Sequence, residues 1–320
     1  MSIANPHLEK NLQHRSSVSP EAAKLRRRAT MLSVSVASVL IVAKLMAYVQ
    51  TESVSILSSL LDSTLDGVIS LIMLFSVRAA MTPADSDHRF GHGKVEPLAS
   101  LGQSFFIGAS AFFLMFEAFA RLANPEPVNA QRLGVAVMVL SIVLTLVLIA
   151  YQSYVVKKTN SVGIASDRLH YEGDLLMNIG VIAALFLTEW TGLTFFDPCF
   201  AIVVAVMLIS SAWKIGMESS SYLMDKELPE ADREKIETLV TLHPEVFSIH
   251  DLRTRSSGVR TFIEFHLEMD GNMTLGEAHD VTEEIEMSLY DAFPTAEVMI
   301  HQEPAGIDDD RLDDRIDEDY

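Results

Sequence analysis

The chain has 320 residues, nearly half of them apolar, and a formal net charge of −19. That charge argues against a nucleic-acid partner, because phosphate binding needs a clustered basic surface. The single cysteine, Cys199, excludes a disulfide framework and a thiolate metal cluster, so any metal site must use histidine and carboxylate ligands.

The first two thirds of the chain have the composition of a membrane unit. A helix needs about 20 mostly apolar residues to cross the hydrocarbon core. Six stretches qualify, namely 31–50, 55–80, 98–121, 133–155, 172–190 and 197–217. The second and fifth are the least apolar, because both carry charged side chains. We therefore predict a six-helix transmembrane domain over 31–217, preceded by a segment, 1–30, that lacks the pattern of a secretory signal.

The basic residues predict the orientation of these helices. Lys24 and Arg26–Arg28 precede the first stretch, and further Lys and Arg residues lie between the second and third and between the fourth and fifth. The loops on the other side hold few or none. Because cytosolic loops are enriched in Lys and Arg, both ends of the chain are expected in the cytosol, which agrees with an even number of spans.

Residues 218–304 have the pattern of a small soluble domain. It predicts a helix over 229–242, strands over 246–255 and 259–269, a helix over 274–293 that opens with a capping box, and a strand over 298–302. The order αββαβ indicates a small α/β sandwich, too short for an enzyme domain with a deep cleft. The tail 305–320 is acidic, with eight Asp or Glu residues over 308–320, and is expected to be solvated and disordered, or a weak collector of cations.

Two pairs of polar residues in the second and fifth stretches point to a metal. Asp62 and Asp66 are four positions apart, as are His170 and Asp174, so each pair shares a helix face. Insertion of an ionised carboxylate into a bilayer costs about 3 kcal/mol on insertion scales. Lys44, in the first stretch, is the only Lys or Arg expected near these four residues. A divalent metal would compensate the charge, since three carboxylates and one imidazole supply tetrahedral ligation. The alternative is that these groups line a water-filled cavity or bond to neighbouring helices.

The ligand types narrow the choice of ion. Carboxylate with imidazole suits zinc, cadmium, ferrous iron, cobalt and manganese, and lacks the sulfur that cuprous copper prefers. Calcium and magnesium fit poorly, because they bind oxygen and gain nothing from an imidazole.

Five segments resemble the cation diffusion facilitator family and, within it, bacterial exporters of zinc and ferrous iron. They are SLLDSTLDG at 59–67, PADSDHRFGHGKVEPLA at 83–99, LHYEGDLLMN at 169–178, HDLRTR at 250–255 and IHQEP at 300–304. The similarity runs from about residue 30 to 304. It implies a homodimer in the cell inner membrane, with a metallochaperone-like cytosolic domain, that exchanges a dication for protons by alternating access. Zinc is the expected ion, both transported and structural or regulatory, and cadmium and ferrous iron are compatible.

The resemblance also implies three metal sites. The transport site, here called the helix site, consists of Asp62, Asp66, His170 and Asp174. The loop site consists of Asp85, His88 and His92. The binuclear C-terminal site consists of His250, His266, His279, His301, the backbone oxygen of Gln302, and Glu303. Taken without the family, the histidines of the last two sites are more often ordinary solvated or strand residues than metal ligands.

Two details of the resemblance bear on the assembly. At Glu303 the family relative has Asp, and the longer side chain leaves the spacing of two metals open. Lys94 and Asp225 match a charge pair between subunits at the hinge, and two solvated rim charges are the alternative.

Three other functions are weighed against export of zinc. An intramembrane metalloprotease needs a catalytic base beside its zinc ligands, and no HExxH occurs in the chain. A membrane metal sensor that does not transport would have no need for ligands inside two spans. An exporter with iron or manganese as its main substrate is the remaining rival, because the sequence does not rank these metals.

Overall fold

The computed structural model describes residues 19–51, 54–123, 132–192 and 195–306. Two compact units divide between Ser220 and Ser221. Residues 1–18 of the predicted N-terminal segment and residues 307–320 of the predicted acidic tail lie outside the described residues.

The N-terminal unit is built from six long helices. They are α1 (Pro20–Thr51), α2 (Val54–Ala80), α3 (Val95–Ala123), α4 (Arg132–Thr159), α5 (Val162–Thr191) and α6 (Phe196–Leu223), whose last residues belong to the other unit. Among the described residues, five of the six are long and apolar enough to cross a membrane. The remaining helix, α5, is 30 residues long but carries the charged residues of the fifth predicted stretch. The predicted six-helix architecture is confirmed.

The basic segment before the first predicted span is part of α1, which begins at Pro20 rather than near residue 31. Arg26, expected only as an orienting charge, is buried and donates to Glu96 at 3.1 Å and to the carbonyl of Thr159 at 2.6 Å. The carboxylate of Glu96 also accepts from the hydroxyl of Ser161 and from the backbone of Gly163 at 3.0 Å. This buried ion pair joins α1, α3 and the start of α5.

Gly163 is required by this close approach. A Cβ there would lie 2.8 Å from Glu96 Cγ and 2.8 Å from Met73 Sδ. Glycine therefore lets the backbone of α5 reach the buried carboxylate.

The C-terminal unit has the predicted order αββαβ. Its elements are α7 (Glu230–Thr241), β1 (Ser248–Ser256), β2 (Thr261–Met269), α8 (Leu275–Ala292) and β3 (Ala296–Pro304). The strand β2 lies in the middle of the sheet, antiparallel to β1 and parallel to β3. One face of the sheet packs on the helices through a buried core that includes Ile236, Ile263, Phe265, Leu267, Ile285 and Leu289.

Two local features hold this unit in register. Thr274 and Glu277 form the predicted capping box of α8, and the backbone N–H of Thr274 lowers the pKa of Glu277. The stability that this provides is present above the unfolded-state pKa and is lost as the pH falls through the folded-state value. In β1 a bulge follows His250, with Asp251 at a φ of 51°. Such bulges redirect the neighbouring side chains.

The buried ion pair of α1 and α3 gives a stability prediction. Glu96→Ala leaves the Arg26 guanidinium buried without its carboxylate, and removing one partner of a buried pair costs about 3–5 kcal/mol. The matched control is Glu117→Ala, which removes an exposed ion pair with Arg121 on the same helix and should cost about 1 kcal/mol or less. Thermal unfolding of the purified protein in detergent measures both. Equal losses in the two variants would show that the buried pair has no special role.

Candidate metal centres

The helix site is formed where α2 and α5 approach each other. The Nε2 atom of His170 lies 3.0 Å from Asp66 Oδ1 and 4.0 Å from Asp174 Oδ2. One ligand atom from each of these three residues lies within 4.8 Å of the others. The i,i+4 spacing places His170 and Asp174 on one face of α5, as predicted. Two carboxylates and an imidazole therefore converge on one point between two membrane-spanning helices.

Asp62 lies one turn from Asp66 and borders the same cavity, without belonging to that closest group. The cavity has a volume of about 220 Å³, and Lys44, Asp62, Asp66, Asp174 and Tyr171 are among its lining residues. It is large enough for an ion with several waters. A role of Asp62 as a fourth ligand stays a prediction.

Lys44 is the cation that the sequence placed near these carboxylates, and the structure puts it in the wall of the cavity. Its ammonium donates to the carbonyl of Ser59 at 3.0 Å and to the hydroxyl of Ser63 at 2.6 Å. Both partners are on α2, the helix that also carries Asp62 and Asp66, so the ammonium is held close to that helix. One positive charge offsets only part of three carboxylates, which leaves a site that attracts a dication.

A buried polar network beside the helix site was missed by sequence reasoning. Asp167 accepts from the hydroxyl of Ser33 at 2.6 Å and from the side-chain amide of Gln152 at 2.7 Å. Tyr171, which borders the cavity, pairs its hydroxyl with that of Ser70 at 2.8 Å. The available signal was Asp167, which precedes His170 by one helical turn but fell before the predicted start of the fifth span.

The loop site is brought together between α2 and α3. The carboxylate of Asp85 lies 3.3 Å from His88 Nδ1 and 3.3 Å from His92 Nε2. The imidazole centroids are 4.5 Å apart. The backbone N–H of His88 donates to Asp85 at 2.7 Å and lowers the pKa of that carboxyl. Asp85 is therefore held as an oriented carboxylate between two imidazoles, a donor set that suits zinc.

The C-terminal site lies across the three strands, on the sheet face away from the helices. His250, His266 and His301 occupy directly opposed positions on β1, β2 and β3. Glu303 reaches all three, with its carboxylate 3.4 Å from His250 Nε2, 2.8 Å from His266 Nδ1 and 3.2 Å from His301 Nε2. The glutamate that departs from the family pattern is therefore the centre of this cluster.

The other two predicted residues of the C-terminal site lie elsewhere in the described chain. His279 is on α8, exposed, and 3.5 Å from Glu283. The side chain of Gln302 faces the helices and donates to Thr282 at 2.6 Å, so that only its backbone is open to the site. Sequence reasoning missed Glu268, which lies 3.7 Å from His250 Nδ1. The signal was its position two residues after His266 on an alternating strand.

The predicted hinge charges lie in different units of the chain. Asp225, at a φ of 55°, is 3.7 Å from Arg255 Nη1 within the C-terminal unit. Lys94 belongs to the N-terminal unit and directly precedes α3. A pair between Lys94 and Asp225 of two subunits stays a prediction.

Comparisons with known proteins agree with this division of the chain. Residues 30–224 match the family described as the cation efflux transmembrane domain. Residues 228–305 match the cytoplasmic domain of cation efflux proteins. The cation-efflux pump FieF of Yersinia pestis (strain Pestoides F) is 43% identical over 288 residues, which cover 90% of this chain and 96% of the pump. FieF of Yersinia pseudotuberculosis serotype I (strain IP32953) has the same identity and coverage.

Solved structures with detectable likeness cover about a quarter of the chain. One is the zinc form of CzrB, a candidate zinc transporter, at 36% identity, a TM-score of 0.25, and coverage of 27% of this chain and 99% of that one. Another is the metal-bound C-terminal domain of the CzcD transporter from Thermotoga maritima, at 29% identity, a TM-score of 0.24, and coverage of 26% and 100%. The sequence matches are what decide the family: this chain belongs to the cation efflux, or cation diffusion facilitator, family of membrane transporters.

Proposed function

We propose that this cation efflux transporter exports divalent transition metals from the cytosol, with zinc as its main ion, in exchange for protons. The observation that supports the proposal is the convergence of Asp66, His170 and Asp174 on one point, beside a cavity that the two aspartates line. Such ligands serve a mobile ion better than a resident one, because carboxylates bind zinc less tightly than thiolates do. Cadmium and ferrous iron share this donor preference.

The exchange follows from charge. With Asp62 included, three carboxylates and one imidazole hold a dication when the cavity communicates with the cytosol. Protons that enter from the other side neutralise the same ligand atoms, and the metal loses its partners. Metal and protons therefore compete for the lone pairs of the same ligand atoms. This competition by itself couples release of the metal to binding of protons.

His170 is the natural carrier of one exchanged proton. Imidazole is the side chain that ordinarily titrates near neutral pH. Its Nε2 atom faces Asp66 and Asp174, so a metal bound between the three occupies the lone pair that a proton would otherwise take. Binding of the metal and protonation of His170 exclude each other.

The C-terminal unit is proposed to be a sensor of metal load within a homodimer in the inner membrane, with both termini cytosolic. His250, His266, His301 and Glu303 would hold zinc there, a donor set of three imidazoles and one carboxylate that fits tetrahedral ligation. Bound metal shifts the conformational equilibrium only if it binds one state more tightly. The exposure of His301 and His279 leaves both available to a second copy of the chain.

Iron or manganese is the alternative main substrate, because the same donors accept both. A sensor that does not transport is the second alternative, since the C-terminal site alone would serve it. Flux measurements separate all three readings.

Loss of one carboxylate in the helix site should abolish transport. Asp66→Asn and Asp174→Asn each remove a negative charge with little change in volume, and we expect flux to fall by at least about 100-fold, the loss reported for weakened metal ligation. The measurement is uptake of zinc, cadmium, ferrous iron and manganese into liposomes that contain the purified protein, under an imposed pH gradient.

The control for these variants is Glu172→Gln. Glu172 lies on α5 between His170 and Asp174 in the sequence, but pairs with Arg168 at 3.1 Å and does not border the cavity. It should keep wild-type flux. Equal losses in all three variants would point to general damage of the helical unit. No flux of any metal by the wild type, with zinc still bound, would favour the sensor.

Replacement of His170 should change the coupling to protons more than the folding. His170→Asp keeps an oxygen ligand and removes the imidazole, so the rate of zinc flux is expected to lose its dependence on pH near neutrality and its preference among metals to change. Flux is measured against external pH, together with thermal unfolding. A variant whose pH profile matches the wild type would exclude His170 as a proton carrier.

The C-terminal site gives a comparison of two histidines. His266 contacts Glu303 at 2.8 Å, whereas His279 lies on α8 away from the sheet cluster. His266→Ala should therefore weaken zinc binding by about 10–100-fold or more, the usual effect of lost metal support. His279→Ala should weaken it less. Calorimetric zinc titration of the full-length protein, with the helix site removed by Asp66→Asn, measures both; the reverse order would contradict the assignment.

A further inference from the structure

Asp167 is a buried carboxyl group for which the proposed transport site has no use. Its exposed fraction is 1%, and it lies among α1, α4 and α5. Both hydrogen bonds that it accepts, from Ser33 at 2.6 Å and from Gln152 at 2.7 Å, go to the same oxygen, Oδ2. Among the described residues, the other oxygen, Oδ1, has no hydrogen-bond partner.

A second buried oxygen, on Gln152, also lacks a hydrogen-bond donor among the described residues. The Oε1 atom of Gln152 also has no hydrogen-bond partner within the described part of the chain. Its amide nitrogen is the group that donates to Asp167. Burial of these two oxygens without a hydrogen-bond donor destabilises the folded protein. A proton on the carboxyl group removes the charge and lowers that cost.

No Lys or Arg compensates this carboxyl within the described residues. Asp167 forms no ion pair with Lys or Arg there, and the titratable groups that act on it are His170 and Tyr171 of its own helix. The other helices present neutral groups, namely Ser33 from α1, Ser70 from α2 and Gln152 from α4. Burial of an ionised carboxylate without a charged partner would destabilise the folded protein by several kcal/mol, which is the effective desolvation penalty of a buried ion.

We propose that Asp167 is a proton-binding site of the transporter, protonated on Oδ1 in the conformation described and deprotonated to water when the cytosolic side opens. The inference rests on the proposed proton-coupled export and adds a residue to it. The chemistry is a single transfer: the O–H bond of the carboxyl breaks, a water oxygen takes the proton as hydronium, and the carboxylate keeps the electron pair.

Tyr171 connects the cavity with the network of Asp167. Tyr171 borders the cavity, and its hydroxyl lies 2.8 Å from that of Ser70. Tyr171 also donates to the backbone carbonyl of Ser33 at 3.4 Å, and the hydroxyl of Ser33 donates to Asp167 at 2.6 Å. The network of Asp167 therefore adjoins the cavity through Tyr171, which is not a metal ligand.

The position of the hydrogen-bond network around Asp167 indicates when in the transport cycle it acts. Ser70 lies one helical turn past Asp66 on α2, and Asp167 lies one turn before His170 on α5. In the predicted orientation, Ser70 and Asp167 therefore both lie on the cytosolic side of the helix site. The network thus closes the cytosolic side of the helix site by tying together four helices through neutral hydrogen bonds, and ionisation of Asp167 would loosen that closure.

The test is infrared difference spectroscopy of the full-length protein in lipid nanodiscs. We expect the carbonyl band of a protonated, buried carboxylic acid in the wild type at neutral pH, and its loss in Asp167→Asn. The control is Glu172→Gln, which should keep the band. A wild-type spectrum that lacks the difference, with Asp167→Asn identical to the parent in this region, would show that the group is ionised and would overturn the proposal.

A second variant covers the case in which Asp167→Asn does not fold. Ser33→Ala retains the carboxyl and removes one of the two donors to its carbonyl oxygen, so the acid band should move to higher frequency. A band that neither shifts nor changes intensity in Ser33→Ala does not come from Asp167 and counts against the assignment.

Transport supplies the functional readout. In liposomes, Asp167→Asn should bind zinc with wild-type affinity but exchange fewer protons per zinc and show a flatter dependence of flux on the pH of the cytosolic side. Unchanged proton exchange in that variant would overturn the proposal. If the wild type itself transports no metal, the proposed export fails, while the infrared band still reports on the protonation of Asp167.

Discussion

The fold is organised around the cost of placing ionised carboxylates among membrane-spanning helices. Asp62, Asp66 and Asp174 face one cavity that holds a single ammonium, and that imbalance has two remedies, a dication or protons. Under the proposed function, the site alternates between the two and thereby exchanges a metal for protons. Elsewhere in the unit the same cost is met differently, since the carboxylate of Glu96 is paired with Arg26 and is not available to either ion.

Several features of the site followed from the sequence because they depend on local spacing. The i,i+4 pairs of α2 and α5 fix a helix face whatever the tertiary structure, and the histidines of β2 and β3 lie in strands whose alternation is visible. The relation between His250, Glu268 and Glu303 could not be read this way, because it depends on strand register and on a bulge after His250. Lys44 was visible as a charge, but its tether to Ser63 comes from the packing of α1 on α2.

The boundaries were less predictable for a physical reason. Hydropathy places the start of α5 near its first apolar run, whereas the helix begins at Val162 and includes ionisable residues before that run, of which Asp167 is buried. The same applies to α1, whose basic first turns are helical because Arg26 reaches Glu96 across 70 residues of sequence. Contacts between residues far apart in the sequence produce no repeating pattern of residue types. This holds for the pair of Arg26 and Glu96 and for the network of Ser33, Gln152 and Asp167.

The central claim is that the cavity between α2 and α5 binds a transition metal through one imidazole and carboxylate oxygens. X-ray absorption at the zinc edge tests it most directly, on full-length protein in which the histidines of the loop and C-terminal sites are replaced by alanine. The account predicts one bound zinc per chain, with a single imidazole and otherwise oxygen ligands at about 2.0–2.2 Å. Absence of retained zinc, or a bound zinc without imidazole, would contradict it.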